Sequence, residues 1–74
     1  MPNTPVHTLQ RGLLTVRVFR RSQRHVVTLH RSYRDGDIWK ESRRLGRNDI
    51  PLARLLLDEI FTWIHEQEGG ATES

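Results

Sequence analysis

The groups in this sequence best suited to chemistry are its guanidiniums. An arginine can hold a phosphate through two parallel hydrogen bonds and can also lie flat against a ring. All 12 Lys and Arg fall within residues 1–57, and Lys40 is the single lysine among them. Only Asp35, Asp37, Glu41 and Asp49 oppose them there, a local balance of +8, whereas residues 58–74 carry five acids and no Lys or Arg. So one-sided an arginine content points to a polyanionic partner. Two constellations stand out. Arg17 and Phe19 alternate along one face of an expected strand, with Arg20, Arg21 and Arg24 just beyond it. Further on, the run from His30 through Arg31, Ser32, Tyr33 and Arg34 enters an acidic turn, and Trp39-Lys40 returns from it. Cations spaced in this way can follow phosphates while rings stack on unpaired bases, at roughly 1–3 kcal/mol per stacked base. A plainer reading competes: the arginines keep an edge strand soluble, and Phe19 packs under a loop. Tyr33 suits either a core or a stacking role, and Trp39 is expected in the core, because a small domain seldom leaves a tryptophan exposed.

Other chemistry finds little support. His25 and His30 are five apart on an expected strand, so they point to opposite faces and cannot share a metal by local spacing. Asp35-Gly36-Asp37 has the composition of a turn. Without cysteine there is neither a disulfide framework nor a thiolate metal site. No nucleophile motif, phosphate loop or zinc signature occurs. His65 falls in the last turn of the expected helix, where a cation suits the macrodipole. No catalytic residue, metal or cofactor is expected, and the protein is not read as an enzyme.

These side chains must be positioned by a single small domain, since 74 residues leave room for no more than one. Residues 1–10, with Pro2 and Pro5, are expected to form a flexible arm, and residues 68–74 a polar tail. Between them, residues 11–67 form the domain. Alternation and β-branched content place strands near residues 13–20, 25–34, 38–42 and a short fourth at 43–46. On the second strand the faces are Val27, Leu29, Arg31 and Tyr33 against Val26, Thr28, His30 and Ser32. Asn48, Asp49 and Pro51 open a helix over residues 49–66. Its apolar arc, including Leu52, Leu56, Leu57, Ile60, Phe61, Trp63 and Ile64, spans about half the circumference, more than one thin sheet normally covers. The fold class is therefore α+β, a four-stranded curved antiparallel sheet followed by one C-terminal helix on one face (ββββα). The surplus helix arc and the thin core lead us to expect a homodimer. No apolar run approaches the roughly 20 residues that span a bilayer, and the start is polar, so the cytoplasm is expected.

Leu14-Thr15-Val16-Arg17-Val18-Phe19, then Val27 to Tyr33, the acidic glycine turn, Trp39-Lys40 and an Asn48-Asp49 helix start together resemble the positive-cofactor-four transcriptional coactivator domain. That family, with its small bacterial relatives and the related Whirly proteins, binds single-stranded DNA. The resemblance covers about residues 13–66. It implies a homodimer packed through the helices, whose curved sheets form a groove for an unpaired strand. Carried over by position, Arg17, Phe19, Arg31, Tyr33 and Lys40 become ligand-facing candidates, with Arg20, Arg21 and Arg24 matching loosely. Two departures are plain: arginine replaces the lysine-rich character of the family, and the loop between Ser42 and Asn48 is shorter.

The sequence thus leads to a module for single-stranded nucleic acid, DNA before RNA, with low sequence specificity, acting in transcription, replication or repair. A nucleoid association would follow from the DNA reading. The rival is a small regulatory module that docks a protein on its helix face and an acidic partner on its basic sheet face.

Overall fold

The computed structural model describes residues 4–69 of the chain. Four strands run β1 (His7–Arg11), β2 (Leu14–Arg21), β3 (Arg24–Asp35) and β4 (Ile38–Ser42). They form one curved antiparallel sheet in the order β1-β2-β3-β4. A single 3-10 turn, Arg47–Asp49, leads into helix α1 (Ile50–Gln67). This is the expected ββββα architecture.

Every connection between strands is a two-residue turn whose first residue has positive φ: Gly12 at 58°, Ser22 at 55° and Gly36 at 67°. Such turns fix register without slack. Gly12 is also a point of close approach, where an added Cβ would lie 3.3 Å from Leu52 Cδ2 of the helix.

Alternation on β2 is strict. Leu14, Val16 and Val18 point toward the helix and are essentially inaccessible, as are Ala53, Leu56 and Ile60 of α1. Leu9, Val27, Leu29, Leu45, Leu52, Trp63 and Ile64 pack around these six. The helix lies chiefly over β1 and β2, so the β3–β4 hairpin extends beyond it. The result is long and flat, 48 × 32 × 14 Å.

Two expectations about elements are corrected. The fourth strand is not residues 43–46 but β1, of which His7 to Gln10 belong to the stretch expected to be a flexible arm. Its inward positions are His7, Leu9 and Arg11, opposite Val18, Val16 and Leu14. Only Leu9 is aliphatic, which is why no apolar alternation marked the strand. His7 instead stacks on Trp63, with centroids 4.3 Å apart and 6° between planes. Arg11 reaches Glu59 at 3.1 Å. Residues 43–46 carry the chain from the sheet to the helix. There the Arg44 N–H donates to Ser42 Oγ (3.0 Å), Leu45 turns into the core, and the Gly46 N–H donates to Asp49 Oδ2 (2.7 Å). Residues 1–3 of the expected arm and 70–74 of the expected tail lie outside the described residues.

The expected apolar arc of the helix divides in two. Leu52, Leu56, Ile60, Trp63 and Ile64 face the sheet, whereas Phe61 is 67 % exposed and Leu57 43 %. Leu56→Ala should therefore cost about 2–5 kcal/mol through loss of packing and the cavity left behind. Phe61→Ala should change the stability of the isolated subunit by under about 1 kcal/mol. Urea unfolding at a concentration low enough to keep the chain monomeric measures both.

Candidate nucleic-acid interface

Because α1 covers one face of the sheet, the strand residues of the other face, apart from the buried Thr15, are at least partly accessible to a ligand. Register identifies them without ambiguity, since directly opposed residues share a face. They are Thr8 and Gln10 of β1; Thr15, Arg17, Phe19 and Arg21 of β2; Arg24, Val26, Thr28, His30, Ser32 and Arg34 of β3; and Trp39 and Glu41 of β4. Four arginines thus share a surface with one acid.

The same register divides the eight residues expected to meet a ligand. Arg17, Phe19, Arg21 and Arg24 lie on the open face, with Arg21 directly opposite Arg24 beside the β2–β3 turn. Arg20, Arg31, Tyr33 and Lys40 lie on the helix side, a correction to the expectation that Arg31, Tyr33 and Lys40 face a ligand together with Arg17 and Phe19. Arg31 is opposite Leu14 of the core seam, and Tyr33 is opposite Lys40. Two of these helix-side residues have structural partners. Arg31 Nε lies 3.1 Å from Asp49 Oδ2, tying β3 to the start of the helix. Lys40 Nζ donates to Asp35 Oδ2 across the hairpin at 2.9 Å.

Trp39, expected in the core, is 59 % exposed on the open face. Arg34 sits directly opposite, its guanidinium carbon 5.8 Å from the ring centre, while its Nε donates to Gly36 O at 3.1 Å. The turn at Gly36-Asp37 was signal enough to find this pair: a two-residue turn sets Arg34 against Trp39, and parity along β3 assigns their face.

Arg17 does not stand ready for an external anion. Its Nη1 and Nη2 donate to Glu41 Oε1 and Oε2 at 3.0 and 2.7 Å, a bidentate pair. Arg17 is on β2 opposite Thr28, and Glu41 is on β4 opposite Ser32, so the bridge crosses β3 at the level of His30. These hydrogen bonds hold the Glu41 carboxyl below its ordinary range, against desolvation and with help from the charges of Arg17 and His30. The same bonds raise the Arg17 guanidinium further.

At the far end of the molecule His25 meets the edge of Trp63, with centroids 6.0 Å apart, and its Nδ1 lies 3.0 Å from Glu68 Oε2. His25 and His30 indeed fall on opposite faces. Among the described residues no group of three or more His, Cys, Asp or Glu gathers to hold a metal, and no helix is long and apolar enough to cross a membrane.

A carboxyl depressed in the folded state contributes stability that is complete above its unfolded value, about 4.3, and is lost as pH falls through the folded one. Both partners are partly exposed, so the bridge contributes no more than about 1 kcal/mol. Parent and Glu41→Gln should therefore differ in urea midpoint at pH 7, and the difference should shrink as pH falls below the ordinary carboxylate range. Comparison of the chain with protein-family models, with curated proteins and with solved structures finds no match, so a functional reading rests on this face and on the resemblance set out above.

Proposed function

We propose that the protein is a non-enzymatic module that binds single-stranded nucleic acid, DNA before RNA, along its open sheet face. The observation that carries this reading is the composition of that face, in which Arg17, Arg21, Arg24 and Arg34 are interleaved with Phe19 and Trp39 and opposed by Glu41 alone. From Arg24 to Arg34 the face runs ten residues along β3, about 33 Å of extended strand. That is length enough for several nucleotides. Arginines would neutralise phosphates, and Trp39, backed by Arg34, would stack on a base at one end. Contacts of this kind read no base edges, so sequence preference is low. Such a module serves processes that expose unpaired strands: transcription, replication or repair.

We further propose that the working unit is a homodimer joined through α1. Ile50, Leu55, Leu57 and Phe61 are exposed on the outer side of the helix, and a groove of about 660 Å³ there is lined by Pro51, Arg54, Leu55, Leu57, Asp58 and Phe61. In an antiparallel pair that crosses at the level of residue 56, Arg54 of one copy meets Asp58 of the other, so charge as well as apolar area favours self-association. The same exposed strip supports the second reading, a protein-interaction module.

Fluorescence anisotropy of labelled single-stranded and duplex oligonucleotides tests the binding face. Trp39→Ala should weaken single-strand binding by about 1–3 kcal/mol. Arg24→Ala or Arg34→Ala should flatten the salt dependence by about 0.7 in log–log slope. Lys40→Ala, on the opposite face, should leave the salt slope unchanged. Equal affinity for duplex and single strand would defeat the proposal. Sedimentation equilibrium tests the dimer: the parent should associate, and Phe61→Asp should be a folded monomer. A parent that stays monomeric at high concentration would favour the protein-docking reading.

A further inference from the structure

We propose that Arg17, Thr28 and His30 form a seat for one phosphate of a bound strand, and that the Glu41 carboxylate occupies this seat in the free protein. The inference rests on the nucleic-acid reading and assigns to its central arginine a built-in competitor.

Three observations meet at one place on the open face. The first is the bidentate pairing of Arg17 with Glu41 at 3.0 and 2.7 Å, a geometry in which a carboxylate presents the same two-oxygen edge as a phosphate. The second is position. The bridge leaves β2 opposite Thr28 and lands on β4 opposite Ser32, so it closes over the middle of the sheet rather than along a rim. The third is what the carboxylate leaves undone. Thr28 Oγ1 and His30 Nδ1 are shielded from solvent yet have no hydrogen-bond partner among the described residues. Both belong to the open-face row of β3 beneath the bridge.

Unpartnered buried polar groups are uncommon and call for a physical reason. A carboxylate has only two oxygens, and Arg17 engages both. A phosphodiester can give two oxygens to a guanidinium through a non-bridging edge and still offer its ester oxygens to a hydroxyl or an imidazole N–H. Substituting phosphate for carboxylate would therefore keep the arginine satisfied and give Thr28 and His30 the partners they lack. Glu41, on edge strand β4 and exposed, is free to swing to water as it is displaced. In the free protein the same carboxylate cancels the charge at the centre of the face, so stray anions meet a closed site. The cations of Arg21, Arg24 and Arg34 toward the ends of β3 would make the first encounter with a strand, and Arg17 would be released last.

The experiment is a double-mutant cycle read by anisotropy with one labelled single-stranded oligonucleotide at constant ionic strength. Glu41→Gln should bind about two- to fivefold tighter, the range an exposed ion pair supports, and Arg17→Gln should bind more weakly than the parent. In the Arg17→Gln background the gain from Glu41→Gln should disappear. A gain of equal size in both backgrounds would be a bulk charge effect and would overturn the proposal. So would a parent that binds well while Glu41→Gln binds no better, an outcome that leaves the nucleic-acid reading intact. Absence of binding by the parent and every variant would remove that reading together with the proposal. Thr28→Val supplies a probe that leaves the ion pair untouched. It should weaken binding severalfold, and unchanged affinity would take the Thr28 hydroxyl out of the seat.

Discussion

The structure depends on one seam, Leu14, Val16 and Val18 of β2 against Ala53, Leu56 and Ile60 of α1. These six are nearly all the fully buried apolar surface among the described residues. Burial of each large side chain is worth roughly 1.5–3 kcal/mol, a small total for a chain that must order so many residues. The seam also does something that a larger core would not. It uses a single helix, places it over β1 and β2, and so commits one sheet face to packing and the other to solvent. Among the described residues no second helix covers the basic face. A core this thin also leaves part of the helix arc with nothing to pack on, and Leu57 and Phe61 stay exposed.

Tight turns carry the order of that seam across to the open face of the sheet. With two-residue loops at Gly12, Ser22 and Gly36, no strand can slip by one position without carrying every inward valine to water. Register is thereby locked from the core outward. Arg17 faces away from the helix because Val16 and Val18 face toward it, and Trp39 shares a face with Arg34 because the turn between them has two residues. The open face needs no stabilising contacts of its own to keep its arginines in a row.

The same logic explains what the sequence made legible. Strands β2, β3 and β4, the helix with Pro51 in its first turn, and the outward positions of Arg17 and Phe19 all follow from strong local signals. β1 did not, because its inward side is His7, Leu9 and Arg11, of which His7 stacks on Trp63 and Arg11 pairs with Glu59 at the surface, so aliphatic alternation is absent. Arg31 and Tyr33 entered the ligand-facing set through the basic run that leads into the turn as well as through resemblance, although parity with Val27 and Leu29 already put them on the core side. Trp39 went the other way: composition argued for burial, whereas the register of the two-residue turn sets it opposite Arg34 on the face away from the helix. Local pattern gives each strand its two faces, but which face is covered, and how far along, is a property of the packed helix.

One consequence concerns how a face can be both stable and adhesive. Four arginines on one sheet surface repel one another, and a free face of that kind would attract any polyanion. Glu41 offsets this at the centre, where neighbouring cations are felt most strongly, through two short hydrogen bonds to Arg17. The stabilisation is modest, as for any partly exposed ion pair, and modest strength is what the arrangement requires. A deeply buried bridge would be too costly to open, and no bridge would leave the face permanently charged. An exposed acid on an edge strand lies between these limits, strong enough to order the arginine and weak enough for the displacement by phosphate proposed above.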